Sequence, residues 1–276
     1  MNCRIAICFF GITRSLSHTI GSIERNIIEP AREVGDVRLF AHFFNQSEID
    51  NPRSGETGKL DTDEHKLLNL HWLKLEEPST FIDDGWFNKV TEYGDEYNDD
   101  FRSIRNLIHQ LHSLKQVGAA ATSWGADIYI FVRPDIIYHD CFSKILSRAF
   151  RQKRSSIYLP SWAHWGPGYN DRFCVCVGDE AAHAYSERLL MVDEYCATHG
   201  QLHAEKLVKY ALKRGKQKVR LFSVRGSRVR SNGKIVDENF TDFRIIRIKE
   251  YLLYPVRAAR KFSKFLQNRY HNDHPS

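Results

Sequence analysis

The sequence predicts an α/β fold with a mostly parallel sheet flanked by helices, and three observations carry that expectation. A strand-like run at 3–10 is followed by a loop, a helix-period stretch and a second strand-like run at 37–44. A long amphipathic segment, 101–124, feeds directly into the apolar run 127–132. Strand-like and helical segments then alternate as far as residue 224. Strand, helix and strand in sequence, at these lengths, imply a parallel crossover and a sheet covered on both faces.

The chain has 276 residues and a mass of 32.2 kDa, with 42% hydrophobic and 12% aromatic residues, enough to bury one substantial core. No apolar run reaches the ~18 residues needed to cross a bilayer. The expected organisation is one soluble, cytoplasmic domain over 1–240 and a tail over 241–276. The N-terminal Met1–Phe10 meets Gly11 and Arg14 where a signal peptide needs its cleavage site, so it reads as a strand. The six cysteines, at 3, 8, 141, 174, 176 and 196, form no C-x-x-C pair. Cys174 and Cys176 alternate with Phe173, Val175 and Val177, which puts both on one strand face and in the core.

In chain order, Leu16, Ile20, Ile23, Ile27 and Ile28 recur at helical spacing over about 15–34, where Pro30 requires a new turn or a kink. The stretch 45–60 is rich in Gly, Asn, Ser, Pro and charge and reads as an exposed, mobile loop of the kind from which lids are drawn. Ile104, Leu107, Ile108, Leu111 and Leu114 share one face of the 101–124 helix, where His109 and His112 read as surface or satisfied core residues. A helix near 141–151 and a strand at 156–159 follow. After a polar, aromatic loop come a strand at 173–177, helices over 180–199 and 203–214, and a strand at 219–224. Arg225–Arg230 with Ser231-Asn232-Gly233 reads as a strand and turn that either contacts phosphate or faces solvent.

The net charge of +6 gathers in the tail, in Arg244, Arg247, Lys249, Arg257, Arg260, Lys261, Lys264 and Arg269. Ile245, Ile248, Leu252, Val256, Phe262 and Phe265 run among them in a broken helical stripe. Such a basic amphipathic segment suits an anionic membrane surface; the alternative is a terminal helix packed on the domain. Nucleic acid is not an expected partner, since no binding module accompanies the charge.

Chemistry is expected where strands end. Asp135 closes an apolar strand as Arg133-Pro134-Asp135, where its carboxylate could ligate Mg²⁺ or Mn²⁺ on a diphosphate and Arg133 could neutralise phosphate; the alternative is an ion pair capping the strand. Gly11, Thr13 and Arg14 supply a turn, a hydroxyl and a guanidinium at the first strand end. Trp162, Trp165 and Tyr169, beside Asn170, Asp171 and Arg172, offer the aromatic faces and polar tips that sugars need, unless the aromatic rings are core. Glu205 opens a helix, where it could serve as general base, and His203 could bind metal or phosphate.

Taken together, the strand and loop 5–14, then Asn106, Gln110 and Ser113 on a helix feeding 127–135, then Gly168–Phe173 and His203-Ala204-Glu205, resemble bacterial GT-A-like glycosyltransferases of surface polysaccharide biosynthesis, of the capsule and lipopolysaccharide type. The resemblance spans about residues 3–240. It implies a Rossmann-like GT-A-type sheet and transfer of a sugar from a nucleotide-sugar donor to a hydroxyl of a glycan or glycolipid acceptor. In that family a short acidic motif at a strand end holds a divalent ion and the donor diphosphate; here Arg133-Pro134-Asp135 takes that place with one carboxylate. The resemblance thus assigns donor contacts to Gly11, Thr13, Arg14, Asn106, Gln110, Arg133 and Asp135. Acceptor contacts fall to Trp162, Trp165, Tyr169, Asn170 and Arg172, metal ligation to Asp135 and His203, and the base to Asp171 or Glu205. The tail would hold the enzyme on the inner face of the cytoplasmic membrane. A carbohydrate-binding protein without activity, or a transferase of phosphate or sulfate groups, are the alternatives.

Overall fold

The computed structural model describes residues 3–51, 55–78, 81–165 and 167–243. Its centre is a seven-stranded sheet ordered β10-β8-β9-β6-β1-β2-β5. The strands are β1 (Arg4–Gly11), β2 (Asp36–Phe44), β5 (Trp72–Glu76), β6 (Ile128–Val132), β8 (Ser156–Pro160), β9 (Cys174–Val177) and β10 (Val219–Phe222). All neighbours run parallel except at β9, which is antiparallel to both β6 and β8. The α/β, mostly parallel expectation therefore holds.

β1 shows why both faces must be covered. Its apolar run divides by the two-residue period of a strand: Ile5, Ile7 and Phe9 join one core, while Ala6, Cys8 and Phe10 join another. The first core is covered by α1 (Leu16–Ile23), α2 (Glu29–Arg32) and α5 (Ser143–Phe150), the second by α4 (Arg102–Trp124), α6 (Asp179–Ser186) and α8 (Ala204–Arg214). A third cluster joins the first half of α4 to α3 (Asp84–Thr91), α7 (Val192–His199) and the start of α8. Cys174 and Cys176 are fully buried on one face of β9, as their alternation requires.

Pro30 is accommodated by a wide turn. α1 passes into a π-helical segment at Glu24–Ile28, and Pro30 falls in the first turn of α2, while the Asn26 carbonyl four residues earlier accepts Phe142 N–H instead (2.9 Å). The stretch 45–60 differs from its expectation as a mobile loop: β3 (Glu48–Asn51) and β4 (Glu56–Lys59) form an antiparallel ribbon, and Glu56 is buried. The helix expected over 180–199 is broken by a 3-10 turn at Arg188–Met191 that buries Arg188 against the Tyr185 ring. β7 (Ile136–Tyr138) and β11 (Gly226–Arg228) form a second small ribbon. Residues 241–243 continue onto the domain, where Phe243 N–H donates to Ser161 O. The rest of the basic tail, 244–276, lies outside the described residues. Among the described residues no helix is long and apolar enough to cross a membrane.

Candidate functional site

The order of the strands locates the site. From β1 the chain turns to β2 and β5 on one side, then through α4 to β6 on the other, so the strand order reverses between β1 and β6. The carboxyl ends of strands diverging at such a switch point leave a crevice for ligand. Phe9 is in register with Val132, so the segments Gly11–Arg14 and Arg133–Asp135 leave adjacent strand ends side by side at that point. Gly11, at φ +109°, adopts a conformation that favours glycine, and its N–H donates to Ser113 Oγ on α4 (2.8 Å). Thr13 accepts Leu16 N–H at its carbonyl and starts the turn into α1.

Asp135 is the hub. Arg133 donates through Nε to Oδ1 (2.9 Å) and through Nη2 to Oδ2 (2.8 Å), and Arg14 Nη2 reaches Oδ2 at 2.5 Å. Burial opposes the Asp135 charge, but the two guanidinium groups outweigh it and hold the carboxyl well below the usual carboxylate range. Arg133 Nη1 continues to Gln110 Oε1 (2.7 Å), whose amide nitrogen lies 3.4 Å from Asp171 Oδ2. On the other side, Arg14 Nη1 meets Glu56 Oε2 (3.0 Å), which also takes Arg230 Nη1 (3.2 Å), while Glu56 Oε1 accepts Ser231 N–H (2.8 Å). Three guanidinium groups thus face two carboxylates, and the buried Arg14 Nε has no hydrogen-bond acceptor among the described residues. A cavity of about 430 Å³ opens beside Arg14, lined by Ser17, Lys59 and Ser231 and by the carboxylates of Asp61, Asp63 and Glu64.

This arrangement corrects the metal assignment. Both Asp135 oxygens are engaged by guanidinium groups, so the residue is the counter-ion of an arginine pair and does not fit a divalent ion. His203 belongs to no converging group of three ligating side chains among the described residues: its Nδ1 faces Glu205 Oε2 at 3.2 Å, while its other nitrogen lies 4.0 Å from Glu96 Oε1. Among the described residues the side chains that could share one ion are instead His42, Glu76 and His112.

Asp171 and Glu205 come together from different elements. Tyr169 N–H donates to the Glu205 carbonyl (2.9 Å), and Gly168 presses so closely that an added Cβ would lie 2.3 Å from the Glu205 carbonyl carbon. Tyr185 Oη donates to the Asp171 carbonyl (3.0 Å). Burial, joined by the neighbouring Asp171 charge, pushes the Glu205 carboxyl above its ordinary range, against the pull of His203. Glu205 is therefore a stronger base than a solvated glutamate, sitting in the first turn of α8.

The aromatic loop divides. Trp162 is 1% exposed, donates Nε1–H to Val224 O (2.8 Å) and packs in the first core, so it is no acceptor platform. Asn170 is buried too, spending its amide on Trp162 O and accepting Arg172 N–H, which shapes the turn. Arg172 turns inward, pairing with Glu238 (2.9 Å) and lying 5.1 Å from the Trp162 ring. The physical reason is common to all three: partners within the domain, Val224 O, Trp162 O and Glu238, claim their polar groups. Trp165 is exposed and Tyr169 half-buried, which leaves these two with rings available to a ligand. Asn106 is exposed on α4, one turn before Gln110.

Residue patterns did not point to Glu56 or Glu64. Glu64 accepts the N–H groups of Leu16 and Ser17 (2.9 and 3.1 Å) and so anchors the start of α1, though it lies in a polar stretch with no periodicity. His42 carried a usable signal, being the one polar side chain in the run Leu39–Phe44.

No protein-family model matches the chain, and no curated protein matches it. Among solved structures it is similar to a putative glucose-1-phosphate thymidylyltransferase from Bacillus anthracis, crystallised in complex with a sucrose. Identity is 11%, with 82% of this chain and 89% of that chain covered and a TM-score of 0.41, values too low to bear on the site.

Proposed function

We propose that this protein is a glycosyltransferase that moves a sugar from a nucleotide-sugar donor to a hydroxyl of a glycan or lipid-linked acceptor. The observation that carries the proposal is the arginine cluster at the switch point, where Arg14, Arg133 and Arg230 converge on the two carboxylates Asp135 and Glu56. Arg14, Arg133 and Arg230 would take up the charge that grows on the leaving diphosphate. Glu205 accepts the acceptor hydroxyl proton as the acceptor oxygen bonds to the sugar's anomeric carbon and the bond from that carbon to the diphosphate breaks. Asp171 keeps Glu205 basic, and Trp165 and Tyr169 offer faces to the acceptor.

Because the arginines neutralise charge themselves, donor binding is independent of divalent cation at this site. Calorimetry of the purified chain against UDP, GDP, CDP and CMP, in chelator and then with Mn²⁺, tests both statements. Binding of one nucleoside diphosphate in chelator, weakened about tenfold or more by Arg14→Met, is expected, since losing one charge-assisted contact costs about 1.5–3 kcal/mol. If no nucleotide binds at millimolar concentration, the proposal fails. The reading as a carbohydrate-binding protein without activity is weakened by Trp162 lying in the core. The basic stripe of 244–276 would recruit the enzyme from the cytoplasm to anionic lipid near its acceptor. Co-sedimentation with phosphatidylserine vesicles should fall on deletion of 244–276, and unchanged co-sedimentation would refute that part.

A further inference from the structure

Beside the crevice, three elements bring ligating side chains to one point. His42 comes from β2, Glu76 from the end of β5 and His112 from α4, with donor atoms all within 4.8 Å of one another. His42 Nε2 stands 3.0 Å from Glu76 Oε2, and His112 Nε2 lies 3.1 and 3.2 Å from the two carboxylate oxygens. Both imidazoles therefore aim the same nitrogen at one carboxylate. Aromatic rings flank both imidazoles: the Phe44 ring lies 5.5 Å from His42 and 6.0 Å from His112, and Phe81 stacks on His112 at 3.8 Å.

We propose that His42 Nε2, His112 Nε2 and the Glu76 carboxylate form a binding site for one Zn²⁺ or similar divalent transition ion. Two imidazoles and a carboxylate suit such ions better than Mg²⁺ or Ca²⁺, which prefer all-oxygen sets. A supporting shell is in place. Ser113 Oγ lies 3.0 Å from His42 Nδ1 and 2.7 Å from the His42 carbonyl oxygen. With the hydroxyl proton given to that carbonyl, Ser113 accepts Nδ1–H and leaves Nε2 bare for metal. His42 is then already in its ligating tautomer, and neutral His112 binds with its proton on Nδ1, so the step needs no net proton loss. The competitor is Lys74, whose Nζ lies 2.9 Å from Glu76 Oε2 on a side chain 43% exposed and free to swing to water. Since Ser113 also holds Gly11 N–H, an ion here would stiffen the first loop of the crevice without touching the donor.

The test uses the full chain, stripped with chelator and kept free of nucleotide, so its outcome is separate from that of the transferase proposal. Zn²⁺ titration by calorimetry should give one equivalent bound, with a rise in melting temperature that Mg²⁺ does not reproduce, and Co²⁺ should develop visible ligand-field absorption. His112→Gln should weaken Zn²⁺ at least about tenfold, while Lys74→Met should tighten it by removing the competing cation. Should neither wild type nor folded Lys74→Met take up Zn²⁺, the site does not exist. Should His112→Gln and Glu76→Gln both bind as wild type does, the ion lies elsewhere and the assignment is overturned.

Discussion

Asp135 balances two guanidinium groups while itself only 2% exposed. Asp135→Asn would leave Arg14 and Arg133 facing each other over a neutral amide, and breaking a buried pair in this way costs about 3–5 kcal/mol. Urea unfolding near pH 7 measures it. The sign with pH follows from the depressed carboxyl. Its contribution is complete above the unfolded-state value of ~4 and is lost as pH falls below that toward the folded value. The stability gap between wild type and Asp135→Asn should therefore narrow in acid; a gap constant between pH 7 and 3 would contradict the assignment. Glu205→Gln addresses chemistry instead. It should lower kcat about 10²–10⁴-fold with little change in donor KM, as expected for a lost general base. Gly168→Ala should destabilise by about 1–3 kcal/mol, because its Cβ meets Glu205 backbone that cannot swing aside.

At the level of elements, the ribbon of β3 and β4 acts as a clasp. Glu56 ties it to Arg14 and Arg230, and to Ser231 beyond β11, so one side chain joins segments from opposite ends of the domain. Glu56→Ala should speed amide exchange in the ribbon selectively and weaken nucleotide binding, whereas unchanged exchange would show that β3 and β4 hold without it. The same elements show what sequence patterns miss. The 56–59 run ETGK is short, polar and glycine-bearing, and its strand character comes from pairing with 48–51 and from ion pairs made 42 and 174 residues away. Pro30 was legible as a break, because a missing N–H is a local property; the π turn that absorbs it needed the packed helix.

Across the whole molecule, the reversal of strand order between β1 and β6 makes the crevice, and ligand binding there should stabilise the entire fold. A nucleotide at about 100 times its Kd adds about 2.7 kcal/mol. For a chain of this size that raises Tm by roughly 5–11 °C, at about 2–4 °C per kcal/mol. Differential scanning calorimetry with and without nucleotide reads it directly. A shift about half as large or smaller in Arg14→Met at the same concentration, as an at least tenfold weaker Kd implies, would place the ligand at the switch point.

The sequence by itself determined the alternation of strands and helices, the doubly covered sheet and the strand ends at Gly11–Arg14 and Arg133–Asp135. These are encoded in short-range periodicity, apolar runs and turn residues, each readable within a few positions. Only the tertiary structure decided which side chains share a charge. It turned Asp135 from a candidate metal ligand into an arginine counter-ion, sent Trp162, Asn170 and Arg172 inward, and set Glu205 beside Asp171. It also gathered His42, Glu76 and His112 from three elements. Electrostatic and coordinating contacts act across space between residues far apart in the chain, and no local pattern records which partner the fold will deliver.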